Sequence, residues 1–594
     1  GKCLVGSSLV QLDNGSLVEI GKLVEDKLKT NLVKKIDDGF VAEGDDTQII
    51  SLNLNNMKNE AKEIKAYVKR ESPEHLLRIK TRSGREITST EYHPLFVFEE
   101  NRIRAVKADE LKIGVKIAVP RQIDIGKNNY FYELIDLIKK EDNIYISYDE
   151  KFSIILRKLK KTTWKNLAGE IGIPLDSIRC LLDSKQAINF AYFIKILKYS
   201  GLSNEEIIKL IPYVKSKGIE RKYNIPWRNS REFSRFFGYL IAEGRLPESS
   251  NQIWFTNGDE EIVGDYVRLV KHLFNVNPTI NEYKAGCWDV LFYSVPIRQI
   301  LDKFGMHVGG KTENKELTNL FLKNSSDIEL GEFLSGLYSG DGYVGKSSID
   351  IITKSRKLGF NIENILVRLG ILFSSRYKIK IATNNGFSGI YREISIYGVE
   401  NFLKFKKYVN LVHNSKRERL DSLLGVKSNP NLDVIDVNNL IIKVIKDLGI
   451  SVKSNKKKYP RLDAYFYKQC LPSRSGINYL IDNLFSNSNE SDNLLLLKQI
   501  ANSDIYWDEI IEVEKIKSKE NWVYDLCIED NHNFIANNIF VHNSNITDAI
   551  CFVLGRLSAK SLRADKSANL IYNGGKKGEP AKEAEVSILF DNSN

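Results

Sequence analysis

Segments with the pattern of β-strands occupy both ends of this chain, and other patterns fill the long middle. Residues 1–125 consist of short apolar runs broken by turns such as Asn14-Gly15 and Ser83-Gly84. Residues 506–541 return to the same pattern. The chain is therefore predicted to begin and end in β-structure around inserted regions, which excludes a simple string of independent domains.

The middle of the chain has three parts. Residues 130–222 show apolar residues at spacings of three and four, which indicates helices. Residues 226–425 mix helical and strand patterns in two similar units, a weak internal repeat. Residues 426–505 are again helical, with the basic loop SVKSNKKKYPR in their middle.

Length and composition exclude several classes of protein. At roughly 100–200 residues per domain, 594 residues predict three to five domains. No stretch approaches the roughly 18 apolar residues of a membrane span, so we expect no membrane partner. The six cysteines form no CxxC pair, which argues against a structural zinc site and a disulfide framework. No signal peptide is recognisable at the start, so a cytoplasmic protein is expected.

The net charge of +11 favours a polyanionic partner, although a solvated basic surface explains it equally well.

The residues at the two junctions suggest that one sequence interrupts another. Deleting residues 3–543 joins Gly1-Lys2 to Ser544 as GKSNITDAICFVLG. That string reads as the end of a phosphate-binding loop and its helix, in which Lys2 meets the β/γ-phosphates of ATP and the Ser544 hydroxyl meets Mg²⁺. It resembles the N-terminal ATPase segment of structural maintenance of chromosomes (SMC) proteins, which implies a nucleoid-associated host. The earlier glycines of such a loop are absent, so ATP binding is expected only after the two parts are joined.

The interrupting segment itself carries a recognisable set of residues at its ends. It opens on Cys3 and closes on His542-Asn543, with the hydroxyl of Ser544 after it. TSTEYHPLFV near the start contains a TxxH pattern, and VYDLCIEDNHNFIANNIFVHNS at the end contains an acidic residue and a histidine. In this combination the chain resembles an intein, a protein-splicing element. The positions carried over from these two motifs are Thr90, His93, Asp525 and His532.

The junction residues have the chemistry that splicing requires. The Cys3 thiol can attack the carbonyl of Lys2 and form a thioester, which the Ser544 hydroxyl can then displace. The side-chain amide of Asn543 can attack its own carbonyl, close a succinimide and cut the chain before Ser544. An acyl shift from oxygen to nitrogen then leaves an ordinary peptide bond between the flanking segments, called exteins, which are the partners in cis.

Proton transfers in these steps need support from further side chains. The resemblance implies that Thr90 and His93 polarise the first scissile bond, and that His542 assists the cyclisation of Asn543. It also implies that splicing needs no metal, nucleotide or helper protein.

Two strings in the internal repeat resemble the LAGLIDADG motif of homing endonucleases. FFGYLIAEG at 236–244 and LSGLYSGDG at 334–342 place Glu243 and Asp341 98 positions apart. Small residues let two such helices pack closely, so that the two carboxylates meet and bind Mg²⁺. The small residues in question are Gly238, Ala242, Ser335, Gly336 and Gly340. The resemblance implies cleavage of double-stranded DNA, expected in the host gene around the insertion site.

Two lysines follow the motifs at similar points and resemble the family's active-site lysines. They are Lys311 in GMHVGGKTENKELTNL and Lys416 in LVHNSKRERL, although a solvated surface explains each equally well. The first motif carries Glu243 where the family usually has Asp. An alternative is therefore a splicing intein whose inserted domain binds DNA without cutting it, and a second alternative is a structural interaction protein with no self-processing.

Two further segments are candidates for DNA contact. Ala168, Gly172 and Ile178 have helix-turn-helix spacing, and the second helix is expected from about Pro174 to Leu182. The basic loop Lys453–Arg461 can contact phosphates. A purely structural role remains the alternative for both.

These patterns together predict a multidomain α+β protein. Its β-rich Hedgehog/intein (Hint) splicing domain is expected to be interrupted by a two-repeat LAGLIDADG endonuclease of the αββαββ type with helical DNA-binding inserts. The expected segments are the N-extein (1–2), the first part of the splicing domain (3–128), a helical insert (129–225), the endonuclease (226–425), a second helical insert (426–505), the last part of the splicing domain (506–543) and the C-extein, an SMC ATPase fragment (544–594).

Overall fold

The structure is a computed structural model of the chain. It describes residues 2–36, 38–125, 130–161, 163–182, 186–381, 388–425, 432–486 and 491–543. None of the helices in these ranges is long and apolar enough to cross a bilayer.

The helices and strands are numbered in chain order. The first part of the chain contains β1 (Leu4–Val5), β2 (Leu9–Gln11), β3 (Leu17–Glu19), α1 (Ile20–Thr30), β4 (Val33–Ile36), β5 (Gly39–Glu43), β6 (Gln48–Asn53), β7 (Lys58–Glu71), β8 (His75–Thr81), β9 (Glu86–Ser89), β10 (Pro94–Glu99), β11 (Arg102–Lys107) and β12 (Lys116–Pro120). The next part contains α2 (Leu134–Leu137), β13 (Ile144–Ile146), α3 (Glu150–Leu159), α4 (Trp164–Ile171), α5 (Leu175–Leu182), β14 (Ile188–Asn189), α6 (Phe190–Tyr199), α7 (Asn204–Leu210), β15 (Tyr213–Ser216) and β16 (Tyr223–Asn224).

The internal repeat and the end of the chain follow. The repeat contains α8 (Arg231–Glu243), β17 (Gly244–Arg245), β18 (Gln252–Asn257), α9 (Glu260–Phe274), β19 (Thr279–Lys284), β20 (Cys287–Tyr293), α10 (Val295–Phe304), α11 (Asn319–Leu322), α12 (Asp327–Gly340), β21 (Tyr343–Val344), β22 (Ser348–Thr353), α13 (Arg356–Arg368), β23 (Phe373–Ile381), β24 (Ser388–Tyr397), α14 (Val399–Tyr408) and α15 (Asn414–Leu424). The last part contains α16 (Asn438–Asp447), α17 (Val452–Asn455), α18 (Leu462–Phe466), α19 (Arg474–Asn483), α20 (Asp492–Ala501), β25 (Ile505–Lys517), β26 (Trp522–Ile528), β27 (Asn533–Ala536) and β28 (Ile539–His542).

The strands from both ends of the chain form one sheet. Its order is β3-β2-β27-β28-β10-β12-β25-β8-β9-β1-β26-β7-β5-β4, with β11 beside β10 and β6 beside β7. The first strand pairs with β26 through Leu4 and Tyr524, and β10 pairs with β28 through Leu95 and Val541. The prediction of β-structure at both ends is confirmed, and the two ends complete one fold.

The inserted residues leave and rejoin this sheet at one point. Pro120 at the end of β12 is the direct partner of Ile505 at the start of β25. Just beyond this pair, the N–H of Arg121 donates to the carbonyl of Asp504 at 2.8 Å. Residues 121–504 therefore need no opening of the sheet, because their two ends are already neighbours.

The segment predicted to be helical at 130–222 also contains strands. Helices α2–α7 are present, but β13–β16 form a small antiparallel sheet of order β14-β13-β15-β16. These strands have two to four residues each, which is too short for an alternating pattern to stand out beside the helical one.

The internal repeat has two units of the same topology. The first unit has a sheet of order β17-β18-β20-β19, and the second has β21-β22-β24-β23. In each unit a long helix precedes the sheet and a second helix lies between its two strand pairs. The weak repeat in the sequence therefore corresponds to two structurally equivalent units.

Glycines allow the long helices α8 and α12 to touch backbone to backbone. A Cβ placed on Gly238 would lie 2.2 Å from the carbonyl oxygen of Phe333, and one on Gly336 would lie 2.2 Å from that of Arg235. Both distances are far inside van der Waals contact, so no side chain fits at either position. This close backbone contact explains why small residues occur where the sequence predicted the two helices to meet.

We expect Gly238→Ala to lower the free energy of unfolding by about 1–3 kcal/mol, because its methyl group must push the two helices apart. Gly264 on α9 is a matched control, since a Cβ there meets no atom within 4 Å. Gly264→Ala should instead gain about 0.5–1 kcal/mol through the helix preference of alanine. Chemical unfolding of the two variants checks this, and equal effects would contradict the close helix contact.

Candidate functional sites

Cys3 directly precedes β1 in the middle of the sheet, and Thr90 is hydrogen-bonded to both its N–H and its carbonyl. The N–H of Cys3 donates to Thr90 Oγ1 at 3.0 Å, and the N–H of Thr90 donates to the Cys3 carbonyl at 2.9 Å. Leu4, the next residue, pairs with Ser89 on one side and Tyr524 on the other. The side chain of Cys3 is fully buried and packs with Leu76 and Val523. The backbone at the first junction is thus fixed on both sides.

The Cys3 thiol is held in its neutral form. Burial raises the pKa of Cys3, and the nearby charge of Asp525 raises it further. Asp525 is itself fully buried on β26. In this arrangement the thiol must lose its proton during attack, so a base is required close by.

His93 is the imidazole next to the backbone of Lys2, at the first junction. It follows Thr90 in a turn in which the His93 N–H donates to the Thr90 carbonyl at 3.1 Å. Burial is the main cause that lowers the pKa of His93 to about 3; the charge of Lys2 lowers it further, while a hydrogen bond with the Lys2 backbone acts in the opposite direction. His93 is therefore a neutral imidazole against the peptide of Lys2, able to accept a proton and pass it on.

The last junction lies at the end of a tight hairpin. His542 ends β28, and its Nδ1 lies 2.7 Å from the carbonyl oxygen of Asn543. A carbonyl can only accept, so Nδ1 carries the hydrogen. The N–H of Asn543 donates to the carbonyl of His532 at 2.9 Å. Among the described residues, neither polar atom of the buried Asn543 side chain has a hydrogen-bond partner. Its amide is thus available for a reaction.

Strand pairing brings the two junctions to the same sheet. His93 directly precedes β10, which pairs with β28, and the ring of Phe96 lies 5.7 Å from the ring of His542. Cys3, Thr90, His93, Asp525, His542 and Asn543 are all buried. His532 takes part through its backbone, while its side chain is half-buried. Ser544 and the rest of the C-terminal segment lie outside the described residues. The phosphate-binding loop predicted from Lys2 and Ser544 therefore falls partly outside them as well.

A second candidate site lies where α8 and α12 end side by side. Glu243 is the last residue of α8 and Asp341 caps the end of α12. A Cβ on Gly340 would lie 3.7 Å from Glu243 Cδ, so the two helix ends touch. Asn257 Nδ2 donates a hydrogen bond to Glu243 Oε2. The helix contact therefore determines the position of both carboxylates.

Both carboxyl groups have raised pKa values. Burial raises the pKa of Glu243 to about 7; the Asn257 hydrogen bond opposes this, and the charge of Asp341 adds to it. Asp341 is partly accessible at the end of α12, yet desolvation by the surrounding protein raises its pKa to about 6, while the charges of Lys315 and Lys416 oppose this. The charge of Asp341 disfavours ionisation of Glu243, so a cation placed between the two carboxyl groups would be stabilised.

One lysine binds the end of each helix. Lys416 Nζ donates to the carbonyls of Tyr338, Ser339 and Gly340 at 2.6–3.0 Å. Lys315 Nζ donates in the same way at the end of α8, at 2.7–3.3 Å, to the carbonyls of Ile241, Ala242 and Gly244. Burial lowers the pKa of each lysine to about 8, while the charges of Glu243 and Asp341 act against this.

The structure places a different lysine, and not the predicted Lys311, at the end of α8. Lys311 is exposed, and Lys315 takes the place equivalent to Lys416. The spacing in the sequence could have identified Lys315. Lys416 follows Asp341 by 75 residues, and Lys315 follows Glu243 by a similar 72, whereas Lys311 follows Glu243 by only 68. Asn257 was missed as well, since a single asparagine on a strand carries no periodic signal.

The donor set of this second site fits a hard divalent cation. Glu243 and Asp341 offer carboxylate oxygens, which Mg²⁺ prefers, usually together with several waters and a substrate phosphate. No cluster of three or more His, Cys, Asp or Glu side chains occurs in the part of the chain that the structure describes. Further ligands would therefore be water and phosphate oxygens.

The predicted helix-turn-helix segment has the expected local shape. Helices α4 and α5 are joined at Gly172, whose φ of +71° needs glycine, and Ala168 and Ile178 are buried between them. Lys453–Arg461 lies around α17 and is mostly exposed.

Comparison with known proteins identifies a family. The family model described as Intein splicing domain matches residues 10–543. Relatives from Methanocaldococcus jannaschii include glutamine–fructose-6-phosphate aminotransferase, 25% identical over 85% of this chain and 44% of the relative, and replication factor C small subunit, 23% identical over 87% of this chain and 21% of the relative. The chain thus spans about a fifth to a half of the length of the curated relatives it matches.

Two solved structures are similar over a smaller part. The PabCDC21-1 intein is 34% identical with a TM-score of 0.20, and it covers 20% of this chain and 73% of its own. The KlbA intein precursor from Methanococcus jannaschii is 26% identical with a TM-score of 0.19, and it covers 20% of this chain and 66% of its own.

The depressed pKa of His93 predicts acid sensitivity. In the unfolded chain His93 titrates near 6.5 and in the folded chain at about 3, so the unfolded state binds the extra proton between these values. Stability present above pH 6.5 is therefore lost as the pH falls towards 3.

We expect protonation of His93 in the unfolded state to lower the free energy of unfolding by about 2 kcal/mol between pH 7 and pH 5. The measurement uses an uncleavable Cys3→Ala/Asn543→Ala background, in which His93→Gln should remove that loss. Urea unfolding at the two pH values measures the difference. An unchanged pH dependence in His93→Gln would contradict a neutral, buried His93.

Proposed function

Because the chain belongs to the intein splicing domain family, we propose that it excises residues 3–543 and joins the segments on either side. The observation that carries this proposal is the set of three hydrogen bonds between Cys3 and Thr90, which fixes the first junction inside the sheet next to His93. It supports attack at one defined peptide bond. The role of Ser544 rests on the sequence.

The first step converts a peptide bond into a thioester. Cys3 Sγ bonds to the carbonyl carbon of Lys2, and the bond from that carbon to the Cys3 nitrogen breaks. The neutral His93 takes the thiol proton and returns it to the leaving nitrogen. Thr90 holds Cys3 at both its N–H and its carbonyl during this exchange.

The later steps release the insert. The Ser544 hydroxyl attacks the thioester carbonyl, its proton passes to the departing Cys3 sulfur, and an ester forms. Asn543 Nδ2 then bonds to its own carbonyl carbon and loses a proton, while the bond from that carbon to the Ser544 nitrogen breaks and this nitrogen takes up the proton as an amine. Nδ1–H of His542 points at that carbonyl oxygen and stabilises its developing negative charge.

Intact masses test the proposal. On incubation over a range of temperatures with a thiol, the 594-residue chain should give residues 3–543 and a ligated product of the two flanking segments. Cys3→Ala should stop cleavage at the first junction, and Asn543→Ala should stop it at the second. Cys287→Ala, a half-buried cysteine on β20, is the control and should behave as the parent chain. Persistence of the intact mass under every condition would rule out splicing.

We propose as a second function that residues 226–425 form a LAGLIDADG-type endonuclease for double-stranded DNA of the uninterrupted host gene. The supporting observation is that the helix ends bring Glu243 and Asp341 together between Lys315 and Lys416. Glu243 and Asp341 would hold Mg²⁺, which when bound supplies an activated water and stabilises a leaving oxygen. The two ammonium groups neutralise charge at the phosphate.

Surface features support DNA as the partner. All six side chains of β19 are exposed, and β23 carries the exposed Arg376 and the half-buried Lys378, which are both ion-paired with Glu393. A sheet with exposed side chains of this kind can read base edges in the major groove. The helix-turn-helix α4–α5 and the loop Lys453–Arg461 are proposed as additional contacts.

Binding without cleavage is the second candidate for this domain. Glu243 is longer than the usual aspartate, and Asn257 already occupies one of its oxygens. These two observations favour a site that binds DNA but cuts slowly. We propose further that residues 544–594 belong to an SMC-type ATPase, which binds ATP and Mg²⁺ through Lys2 and Ser544 after splicing.

Cleavage of a duplex that carries the uninterrupted host gene separates these candidates. We expect Mg²⁺-dependent cutting that Asp341→Ala abolishes. Lys315→Ala should reduce the rate by about 100-fold or more, as for other removed electrostatic groups, whereas the exposed Lys311→Ala should leave it unchanged. Specific binding without cutting would select the binding module, and equal effects of the two lysine variants would contradict the role of Lys315.

A further inference from the structure

The second repeat unit holds a turn of the splicing fold. The turn between β8 and β9 contains Ser83 and Gly84, and the N–H of Ser375 on β23 donates to the Ser83 carbonyl at 2.7 Å. A Cβ on Gly84, whose φ is +88°, would lie 1.9 Å from the Ser375 carbonyl oxygen. The turn and the strand are therefore in direct backbone contact.

Arg85, the next residue, is a cation of the splicing fold enclosed by the insert. Its side chain is 1% exposed, and its guanidinium lies 4.6 Å from the centre of the Phe373 ring. Nη1 donates to Ser83 Oγ at 2.6 Å and lies 3.6 Å from Asp508. Its position thus depends on Phe373, a residue of the insert.

The strand that starts after Arg85 leads directly to the first junction. Strand β9 covers residues 86–89, Ser89 pairs with Leu4, and Thr90 follows with its hydrogen bonds to Cys3. Close-packed protein interiors transmit strain. Arg85 and Thr90 flank β9 at its two ends, so a shift of Arg85 is expected to reach Thr90 through this short strand.

A second contact reaches the other junction. Asn364 on α13 is fully buried, and its Nδ2 donates to Gln11 Oε1 at 2.8 Å and to Asn538 Oδ1 at 3.3 Å. Asn538 has a φ of +58° in the turn between β27 and β28. The opposite end of this hairpin carries His542 and Asn543.

We propose that Arg85 and Asn364 are positioning residues for splicing: Arg85, packed on Phe373, places Thr90 for the first step, and Asn364, bonded to Asn538, places Asn543 for the last step. The insert is then part of the splicing apparatus in this chain. The inference rests on the proposed splicing reaction and not on nuclease activity.

Separate rates for the two junctions test the proposal in the full chain. Thiol-induced cleavage before Cys3 reports the first step, and cleavage after Asn543 reports the last. We expect Arg85→Met to slow the first by about 10- to 100-fold, as misplacement of reacting groups does, with the last nearly unchanged. Asn364→Ala should show the reverse pattern. Arg85→Lys should recover part of the first rate, because it keeps the charge.

Matched controls separate positioning from lost stability. Asn361 is a buried asparagine on the same helix that bonds Leu317 within the insert, and Arg298 is a buried arginine that bonds Pro247. Asn361→Ala and Arg298→Met should lower the melting temperature to a similar degree without changing either cleavage rate. Asn364→Asp provides a second variant, since it keeps the volume and loses both donated hydrogen bonds.

The outcomes are distinguishable. A selective loss of one step in each variant supports the proposal. Equal slowing of both steps in Arg85→Met and Asn364→Ala and in the controls Asn361→Ala and Arg298→Met, or parental rates in Arg85→Met and Asn364→Ala, overturns it while splicing itself stands. If the parent chain cleaves at neither junction, the proposed function fails first.

Discussion

The pairing of β1 with β26 is the contact on which the rest of the structure depends. It joins residues from the two ends of the described chain and holds Leu4, the residue after Cys3, inside the sheet. The entropy of closing a loop grows only slowly with length, by about 0.6 kcal/mol per doubling, so several hundred inserted residues cost the sheet little. A long insert is therefore thermodynamically compatible with a buried site built from both ends.

The two candidate sites solve different electrostatic problems. At the first, burial keeps the Cys3 thiol and the His93 imidazole neutral, so the protein avoids isolated charges inside the sheet. At the second, Glu243 and Asp341 are brought together and the lysines at the two helix ends compensate them. At the first site the proposed bond exchange proceeds between neutral groups with proton transfer, whereas the second has an arrangement suited to a cation and a polyanion.

Sequence patterns predicted the parts that depend on neighbours along the chain. Cys3, His93 and Asn543 stand in local motifs, and the helix ends at Glu243 and Asp341 follow from glycine spacing. Lys315 was missed because the loop before it sets its position. Arg85 and Asn364 were not singled out, since the contacts that matter here, from Arg85 to Phe373 and from Asn364 to Asn538, join residues far apart in the sequence. The short strands β13–β16 were missed because two to four residues cannot show a period.

The adjacency of Pro120 and Ile505 has a consequence for inheritance. Since paired residues in an antiparallel sheet are about 4.5–5.5 Å apart, a gene that lost the codons between them would need to supply only a tight turn to keep the sheet continuous. Such a shortened descendant would nevertheless inherit Arg85 without the ring of Phe373 and Asn538 without its hydrogen bond from Asn364. Lineages that discard the insert should therefore change those two positions, and lineages that keep it should retain them.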